Sequence, residues 1–118
     1  MDHADARAFV DRWIANWNKH DVDAVLEDFA EDVVFSSPLL REVAPDSGGV
    51  VRGKAALRGY WTAAMRQIPN LHFDLVGVYL GVNTVVINFR NHRDRLVNEV
   101  LILDGPLVVE GHATHLDA

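Results

Sequence analysis

The sequence predicts an α+β domain in which three amphipathic helices come first and a curved antiparallel sheet comes last. Apolar residues recur with helical spacing in the first part of the chain, and four strand-like runs separated by turn signals fill the rest. Helices that precede strands in this way pack together on one face of the sheet. The 118 residues can bury a core of their own, and no linker or repeat divides them, so we expect a single domain over residues 1–118.

Each of the three predicted helices begins or ends at a recognisable signal. The first spans residues 6–19 and carries an aromatic stripe on one side. Asp21 can accept a backbone N–H bond and so cap a second helix over residues 22–29. Gly53 opens the third helix, which Pro69 ends because proline cannot continue the backbone hydrogen bonding. All three have one apolar face, as helices that cover a sheet require.

A short strand and a long loop are predicted between the second and third helices. The β-branched and aromatic run 33–35 is strand-like and stops at Pro38, which lacks a backbone donor. Residues 39–52 contain Pro, Asp, Ser and two Gly, and a turn-rich segment of this length is typical of a loop that closes over a pocket. The remaining runs predict a meander of four antiparallel strands, near residues 71–80, 83–92, 95–103 and 107–116.

The register of the last two turns decides which side chains share a face of this sheet. We place Arg93 and Asp94 in one two-residue turn, and Asp104 and Gly105 in the next. Residues equidistant from such a turn pair directly, and a slip of one residue sends a side chain to the other face. This register gathers five polar side chains on one face: Asn88, Arg90, Glu99, Glu110 and His112.

The opposite face of the predicted sheet is still more apolar, so both faces need to be covered. It carries Val, Ile, Leu and Phe side chains along the last three strands. Three helices cover only one face, and we therefore expect the other to pack against a second copy of the chain in a homodimer. The alternative is a bent sheet wrapped by the chain's own termini.

Charge and composition exclude several classes of partner. Eleven Lys and Arg against seventeen Asp and Glu give a net charge of -6, the wrong sign for tracking a phosphate backbone, so nucleic acid is not an expected partner. The absence of cysteine excludes disulfides, thiolate nucleophiles and zinc sites built on thiolates. The sequence has no signal-peptide pattern and no apolar run long enough to cross a membrane, so we expect a cytoplasmic protein without a membrane partner.

Three segments resemble the NTF2-like superfamily, in particular its SnoaL-like and ketosteroid-isomerase-like branches. They are FVDRWIANWNKHD at residues 9–21, FAEDVVFSSP at 29–38 and VRGKAAL at 51–57, and with the terminal meander the resemblance covers nearly the whole chain. It implies a cone-shaped α+β fold with a deep pocket between helices and sheet, usually in a dimer. The superfamily includes isomerases, cyclases, dehydratases, epoxide hydrolases and proteins without chemistry, so the resemblance indicates architecture more than function.

The catalytic residues of the ketosteroid-isomerase-like branch are only partly present. Those members use a tyrosine on the first helix, an aspartate base before the first-strand proline and a protonated acid in the meander. The matching positions here hold Trp13, Ser37 and Glu99. An oxyanion donor and the proton-abstracting base are thus absent, and the resemblance does not imply steroid isomerisation.

The candidate pocket has an aromatic roof and a polar floor. Glu99 and His112 are the candidate proton carriers, because burial and a neighbouring Glu110 would disfavour ionisation of Glu99 and imidazole titrates near neutral pH. The predicted ligand-binding residues are Trp13, Phe35, Ser37, Trp61, Asn88, Arg90 and Glu110. Two alternatives remain open: Arg90 neutralises Glu99 while Glu110 faces solvent, and the tryptophans are plain core.

Two functions are consistent with this pocket. The first is an enzyme that acts on a small, largely apolar carbonyl or polycyclic compound by acid–base chemistry, as an isomerase, cyclase or dehydratase. The second is a ligand-binding or dimerisation module without chemistry. Neither a metal nor a cofactor is predicted, because the spacing of Glu110 and His112 is common among polar groups on strands.

Overall fold

The computed structural model describes residues 2–117 and has the predicted α+β architecture. Within those residues the chain forms four α-helices, one short 3-10 helix and six strands. The helices are α1 His3–Asn18, α2 Val22–Leu26, α3 Pro38–Val43 and α4 Lys54–Gln67, with the 3-10 helix Pro45–Ser47 after α3. The strands are β1 Phe29–Ser36, β2 Val50–Arg52, β3 Asp74–Leu80, β4 Thr84–Arg90, β5 Leu96–Asp104 and β6 Leu107–His115.

Side-chain caps begin the first two helices. Asp2 accepts a hydrogen bond from the backbone N–H of Asp5 at 2.8 Å, and α1 then buries its aromatic stripe. Asp21 accepts from the N–H of Ala24 at 3.1 Å, which confirms it as the cap of α2. The predicted end of this helix at residue 29 is wrong, because Phe29 already belongs to β1 and is buried there.

All six strands join one curved sheet in the order β2-β1-β6-β5-β4-β3. The meander from β3 to β6 is antiparallel, as predicted, whereas β1 lies parallel to β6. Helices α1 and α4 pack on one side of the sheet, which we call the inner face; the other side is the outer face. Aromatic rings fill the space between helices and sheet, with Trp17 and Trp61 5.0 Å apart and Phe73 and Phe89 4.1 Å apart between ring centroids.

The segment 39–52 has secondary structure of its own, so the prediction of a plain loop is wrong. Ser37 Oγ accepts a hydrogen bond from the backbone N–H of Leu39 at 3.2 Å and caps α3, which begins at the predicted strand-ending proline. Gly48 and Gly49 then turn the chain with φ angles of +69° and +84°, values that favour glycine. The short strand β2 follows and pairs with β1, which fixes the segment against the sheet.

The loop between β4 and β5 has an odd number of residues, and this shifts the register predicted from a two-residue turn. Arg90 pairs with Leu96, which leaves residues 91–95 in the loop. Asn88 therefore lies opposite Asn98, whereas a two-residue turn at Arg93 and Asp94 predicts Glu99 as its partner. Because successive side chains of a strand alternate between faces, this single-residue slip moves the next residue, Glu99, to the inner face.

A later turn and a bulge displace β6 as well. The turn after β5 is made by residues 105–106, and the extra residue Val109 then interrupts the pairing. Glu99 consequently pairs with Ala113 instead of Glu110. The prediction of one shared polar face is therefore wrong for Glu99, which lies on the inner face, while four of the five residues remain together on the outer face: Asn88, Arg90, Glu110 and His112.

Candidate functional site

A cavity of about 80 Å³ lies between the helices and the inner face of the sheet. We call it the inner cavity. Its wall is mainly aromatic and aliphatic, and a few polar groups converge on it, which is the usual composition of a small-molecule site. The side chains that line it include Trp17, Phe35, Ser37, Tyr60, Trp61, Phe73, Phe89 and Glu99.

Glu99 supplies a buried carboxyl group to this apolar wall. Only 5% of its surface is exposed, and burial raises the pKa of Glu99 to about 8, because an ionised carboxylate would lose its hydration there. Its Oε1 atom is also buried and has no hydrogen-bond partner within residues 2–117. At neutral pH the carboxyl is therefore mainly protonated, and it can both donate and accept a hydrogen bond.

Two hydroxyl groups line the cavity together with Glu99. Burial raises the pKa of Tyr60 to about 12; hydrogen bonding to Ser37 opposes this increase, and the negative charge of an ionised Glu99 adds to it. Tyr60 is thus a neutral phenol that can donate a hydrogen bond. The oxygen of Ser37 accepts from the backbone N–H of Leu39, and its own proton can be donated to the oxygen of Tyr60.

A larger space of about 730 Å³ lies next to the inner cavity, and we call it the outer groove. Burial lowers the pKa of His92 and that of His115; the charge of Arg93 lowers the pKa of His92 further, whereas Glu42 opposes the change at His115. Both imidazoles are therefore mainly neutral at pH 7 and can accept a proton. Cavity and groove share the lining residues Leu39, Ile68, Asn91, His92 and His115.

Helix α3 lies where the inner cavity meets the outer groove. Leu39 lines both spaces, while Glu42 and Val43 line the groove. The first part of the segment 39–52, residues 39–43, therefore lies beside the pocket as predicted, and its function as a gate stays a prediction.

Four of the predicted site residues line the inner cavity, namely Phe35, Ser37, Trp61 and Glu99. Trp13 does not, and its prediction as a pocket residue is wrong. Its ring stacks on that of Phe73 at 5.6 Å between centroids, inside the core, and Trp17, one helical turn later, lines the cavity in its place.

The other four predicted residues lie on the outer face, with the sheet between them and the inner cavity: Asn88, Arg90, Glu110 and His112. Arg90 donates to the carbonyl oxygen of Asp94 at 3.2 Å in its own loop. Because the sheet separates them, Arg90 does not neutralise Glu99, and that half of the alternative is wrong; the other half is correct, since Glu110 lies on the outer face and is about 45% exposed. His112 cannot share a proton with Glu99 for the same reason.

His112 belongs to a separate hydrogen-bonded chain on the outer face. Its Nδ1 lies 2.5 Å from Ser36 Oγ, and its Nε2 lies 2.8 Å from Glu110 Oε1. Both ring nitrogens are thus engaged by neighbouring side chains. Glu110 and His112 remain about 45% and 36% exposed, respectively.

Sequence reasoning missed four residues that line the cavity or its mouth, namely Trp17, Tyr60, His92 and His115. Trp17 and Tyr60 are on the apolar stripes of their helices, where a pocket residue and a core residue have the same spacing. His92 and His115 depend on the strand register and the loop length. The bulge at Val109 is what places His115 on the same face as Glu99, because it pairs Glu99 with Ala113 and Val97 with His115.

The described residues contain neither a cluster of metal ligands nor a membrane-spanning helix. Within residues 2–117, no group of three His, Cys, Asp or Glu side chains is placed to hold a metal ion. No helix in that range is long and apolar enough to cross a membrane.

Comparison with known proteins decides the family. The protein-family model described as the SnoaL-like domain matches residues 10–114, which is most of the sequence. The chain belongs to the SnoaL-like family. A SnoaL-like protein of unknown function from Burkholderia thailandensis is 36% identical to it, with a TM-score of 0.92 over 98% of each chain.

More distant structures share the fold of this SnoaL-like protein. An NTF2-like protein of unknown function from Cytophaga hutchinsonii is 13% identical, with a TM-score of 0.71 over 94% of this chain and 89% of its own. TerC, which was co-crystallised with polyporic acid, is 10% identical, with a TM-score of 0.77 over 95% of this chain and 92% of its own. At such identities the likeness shows the NTF2-like fold alone. A comparison with curated protein sequences finds no match.

Proposed function

We propose that this SnoaL-like protein binds a small, largely apolar carbonyl compound in the inner cavity, with the carbonyl oxygen at Glu99. The observation that carries the proposal is the buried carboxyl of Glu99, mainly protonated and with an unpartnered oxygen, in an aromatic wall. A neutral acid can donate to a carbonyl oxygen, and this bond strengthens as negative charge develops there. The structure of TerC with polyporic acid, in a protein of the same fold, supports a ligand-binding role.

The same groups are suited to proton transfer next to a carbonyl. A neutral imidazole of His92 or His115 would take the proton from the carbon beside the carbonyl, and the electron pair would move to the carbonyl oxygen. Glu99 and Tyr60 would stabilise the resulting enolate by hydrogen bonding, and the imidazolium would return its proton to another carbon. This scheme uses an imidazole at the cavity mouth in place of His112. Isomerisation, cyclisation and dehydration of carbonyl compounds can each proceed through such a step.

A ligand-binding module without chemistry is the second candidate. Ser37 occupies the position at which the ketosteroid-isomerase-like members have their base, and its hydroxyl oxygen is engaged in capping α3. A hydroxyl in that state does not abstract a proton. Apart from Glu99 itself and Glu42 in the outer groove, the bases near the cavity within the described residues are the two imidazoles at its mouth.

The test separates binding from chemistry with two variants of Glu99. A panel of small aromatic and alicyclic ketones is titrated by calorimetry, and exchange of the protons beside the carbonyl with deuterium is followed by NMR. Glu99→Gln keeps a hydrogen-bond donor but not an acid, so we expect it to bind ketones and lose most of the exchange. Glu99→Leu should lose both, and Glu110→Gln on the outer face is the matched control that should keep both.

The binding and exchange measurements distinguish the two candidate functions and test the position of the carbonyl oxygen. Binding without exchange in the unmodified protein would favour the second candidate. Equal ketone affinity in Glu99→Leu and in the unmodified protein would refute the placement of the carbonyl oxygen at Glu99.

We also propose that a second copy of this chain covers the outer face. Apolar side chains there are only partly buried by the chain itself, among them Val34, Val86 and Val100, and Tyr79 on β3 is 64% exposed. The polar groups beside them are already hydrogen-bonded to one another, as His112 is through both ring nitrogens. Covering this face would therefore remove apolar surface from water with few unpaired polar groups.

The oligomeric state can be measured by light scattering after gel filtration. We expect a dimer for the unmodified protein and a monomer for Val100→Lys, which places a charge in the middle of the outer face. Val82→Lys, in the fully exposed turn between β3 and β4, should leave the dimer intact. A monomeric unmodified protein at high concentration would refute this proposal.

A further inference from the structure

The size of the inner cavity limits what part of a ligand can reach Glu99. With about 80 Å³ it has room for a group of a few non-hydrogen atoms, whereas typical ligand sites have several hundred cubic ångströms. The outer groove, at about 730 Å³, is within that range and lies beside the cavity, with which it shares five lining residues. A ligand of ordinary size with its carbonyl at Glu99 would therefore extend into the outer groove.

The outer groove differs chemically from the inner cavity. Arg93 and Arg95 line it, both are exposed, and neither guanidinium forms a salt bridge with any carboxylate of residues 2–117. Glu42 also lines the groove and contributes one negative charge. With His92 and His115 mainly neutral, two positive charges face one negative charge. The groove thus carries a net positive charge in a chain whose overall charge is -6.

The two arginines are held by a well-defined loop. Asn91 Oδ1 accepts hydrogen bonds from the backbone N–H groups of Arg93 at 2.9 Å and of Arg95 at 3.1 Å. The N–H of Asn91 in turn donates to the carbonyl oxygen of Arg95 at 2.9 Å. These bonds fix the backbone positions from which both guanidinium groups extend, so less conformational freedom is lost when they bind a ligand.

We propose that the ligand is an amphiphilic acid, with a compact apolar, carbonyl-bearing end in the inner cavity and a carboxylate in the outer groove that binds to Arg93 and Arg95. This inference rests on the proposed function, because it adds the chemistry of the second half of the ligand to a carbonyl placed at Glu99. Arginine suits this role because its planar fork of donors matches a carboxylate. The negative charge of Glu42 would oppose the binding of a carboxylate and so lower the affinity for the ligand.

The test uses methyl ketones with a terminal carboxylate, namely levulinate and longer homologues, together with the methyl ester of each. Affinities are measured by calorimetry at low salt. For the homologue that spans cavity and groove, we expect the acid to bind about tenfold more tightly than its ester, since each exposed ion pair contributes up to about fivefold. The double variant Arg93→Gln/Arg95→Gln should abolish this preference, and Glu42→Gln should increase it severalfold.

An arginine elsewhere on the surface provides the matched control. Arg52 at the end of β2 is exposed and does not line the groove, so Arg52→Gln removes one positive charge without touching the proposed site. It should keep the full preference for the acid. Physiological salt should reduce the preference in the unmodified protein, because the ion pairs are exposed.

The outcomes distinguish this inference from the proposed function. Equal binding of acid and ester, with both weakened by Glu99→Leu, would overturn the amphiphilic acid and leave the carbonyl site in place. A preference for the acid that survives in the double arginine variant would also overturn the inference. Failure of every acid and ester to bind would overturn the inference and the proposed function together.

Discussion

Replacing Glu99 by Gln should make the protein more stable, and the gain should grow with pH. Burial raises the pKa of Glu99 from the ordinary 4.5 to about 8 in the folded protein. Between those values the unfolded chain carries an ionised carboxylate, whereas the folded chain must hold a proton to keep the group neutral. The folded state therefore binds more protons, and its stability is complete below about pH 4.5 and falls as pH rises towards the folded-state value.

The magnitude follows from the gap between the two pKa values. One pKa unit corresponds to about 1.4 kcal/mol, so the buried acid costs about 1 kcal/mol at pH 5, about 3 kcal/mol at pH 7 and about 5 kcal/mol well above pH 8. Gln is nearly isosteric with protonated Glu and does not ionise. Glu99→Gln should therefore match the unmodified protein near pH 4.5 and exceed its free energy of unfolding by about 3 kcal/mol at pH 7.

Urea unfolding at a series of pH values, monitored by tryptophan fluorescence, measures this difference directly. Glu110→Gln removes a carboxylate from the outer face and should show no comparable gain between pH 5 and pH 8. Parallel stability curves for Glu99→Gln and the unmodified protein would refute the reasoning, because they would mean that Glu99 ionises equally easily in both states.

Three further changes should have distinct effects. At Gly111 on β6, an added Cβ would lie 3.0 Å from a ring carbon of Phe35 and 3.1 Å from a methyl carbon of Leu101. Gly111→Ala should therefore lower the free energy of unfolding by about 1–3 kcal/mol, measured by thermal or urea unfolding. An unchanged stability would show that the core can adjust at this position. Asp21→Ala removes the α2 cap and should cost about 1 kcal/mol, with Asp21→Asn as a control that retains most of it. Leu39 lines both the inner cavity and the outer groove, so Leu39→Trp should obstruct the space between them. It should slow ligand association in stopped-flow measurements and change the stability little. An unaltered association rate would show that ligands enter elsewhere.

The candidate site could be predicted from the sequence only in part, and Glu99 shows why. A glutamate among Val and Leu residues on a predicted strand was sufficient to suggest a partly buried acid. Its supposed neighbours Asn88 and Arg90 depended on whether the loop after β4 has two residues or five, whereas Glu110 and His112 depended on the turn after β5 and the bulge at Val109. Asn91 stabilises the five-residue loop by accepting hydrogen bonds from the backbone N–H groups of Arg93 and Arg95, an Asx-turn that competes with the two-residue turn that the sequence also permits.

The aromatic residues give a second example. Trp13 and Trp17 lie one turn apart on the same stripe of α1, so their spacing predicts burial for both and cannot separate their surroundings. The structure stacks Trp13 on Phe73 inside the core and leaves Trp17 at the cavity wall. The difference arises from tertiary packing, because the ring of Trp13 also lies 5.7 Å from that of Phe89 on β4, whereas Trp17 packs against Trp61 of α4.

By itself the sequence determined the α+β class, the antiparallel meander and the cap of α2, because these follow from short-range spacing and residue type; three of its segments also resembled the SnoaL-like family to which the family model assigns the chain. Only the tertiary structure decided which side chains share the cavity with Glu99. A loop of odd length and one bulge each reverse the face of a strand; the hydrogen bonds of Asn91 hold the loop locally, whereas the bulge is defined by the pairing of β5 with β6. The inner cavity and the outer groove also depend on the tertiary structure, since each is a space left between elements that are far apart in the chain.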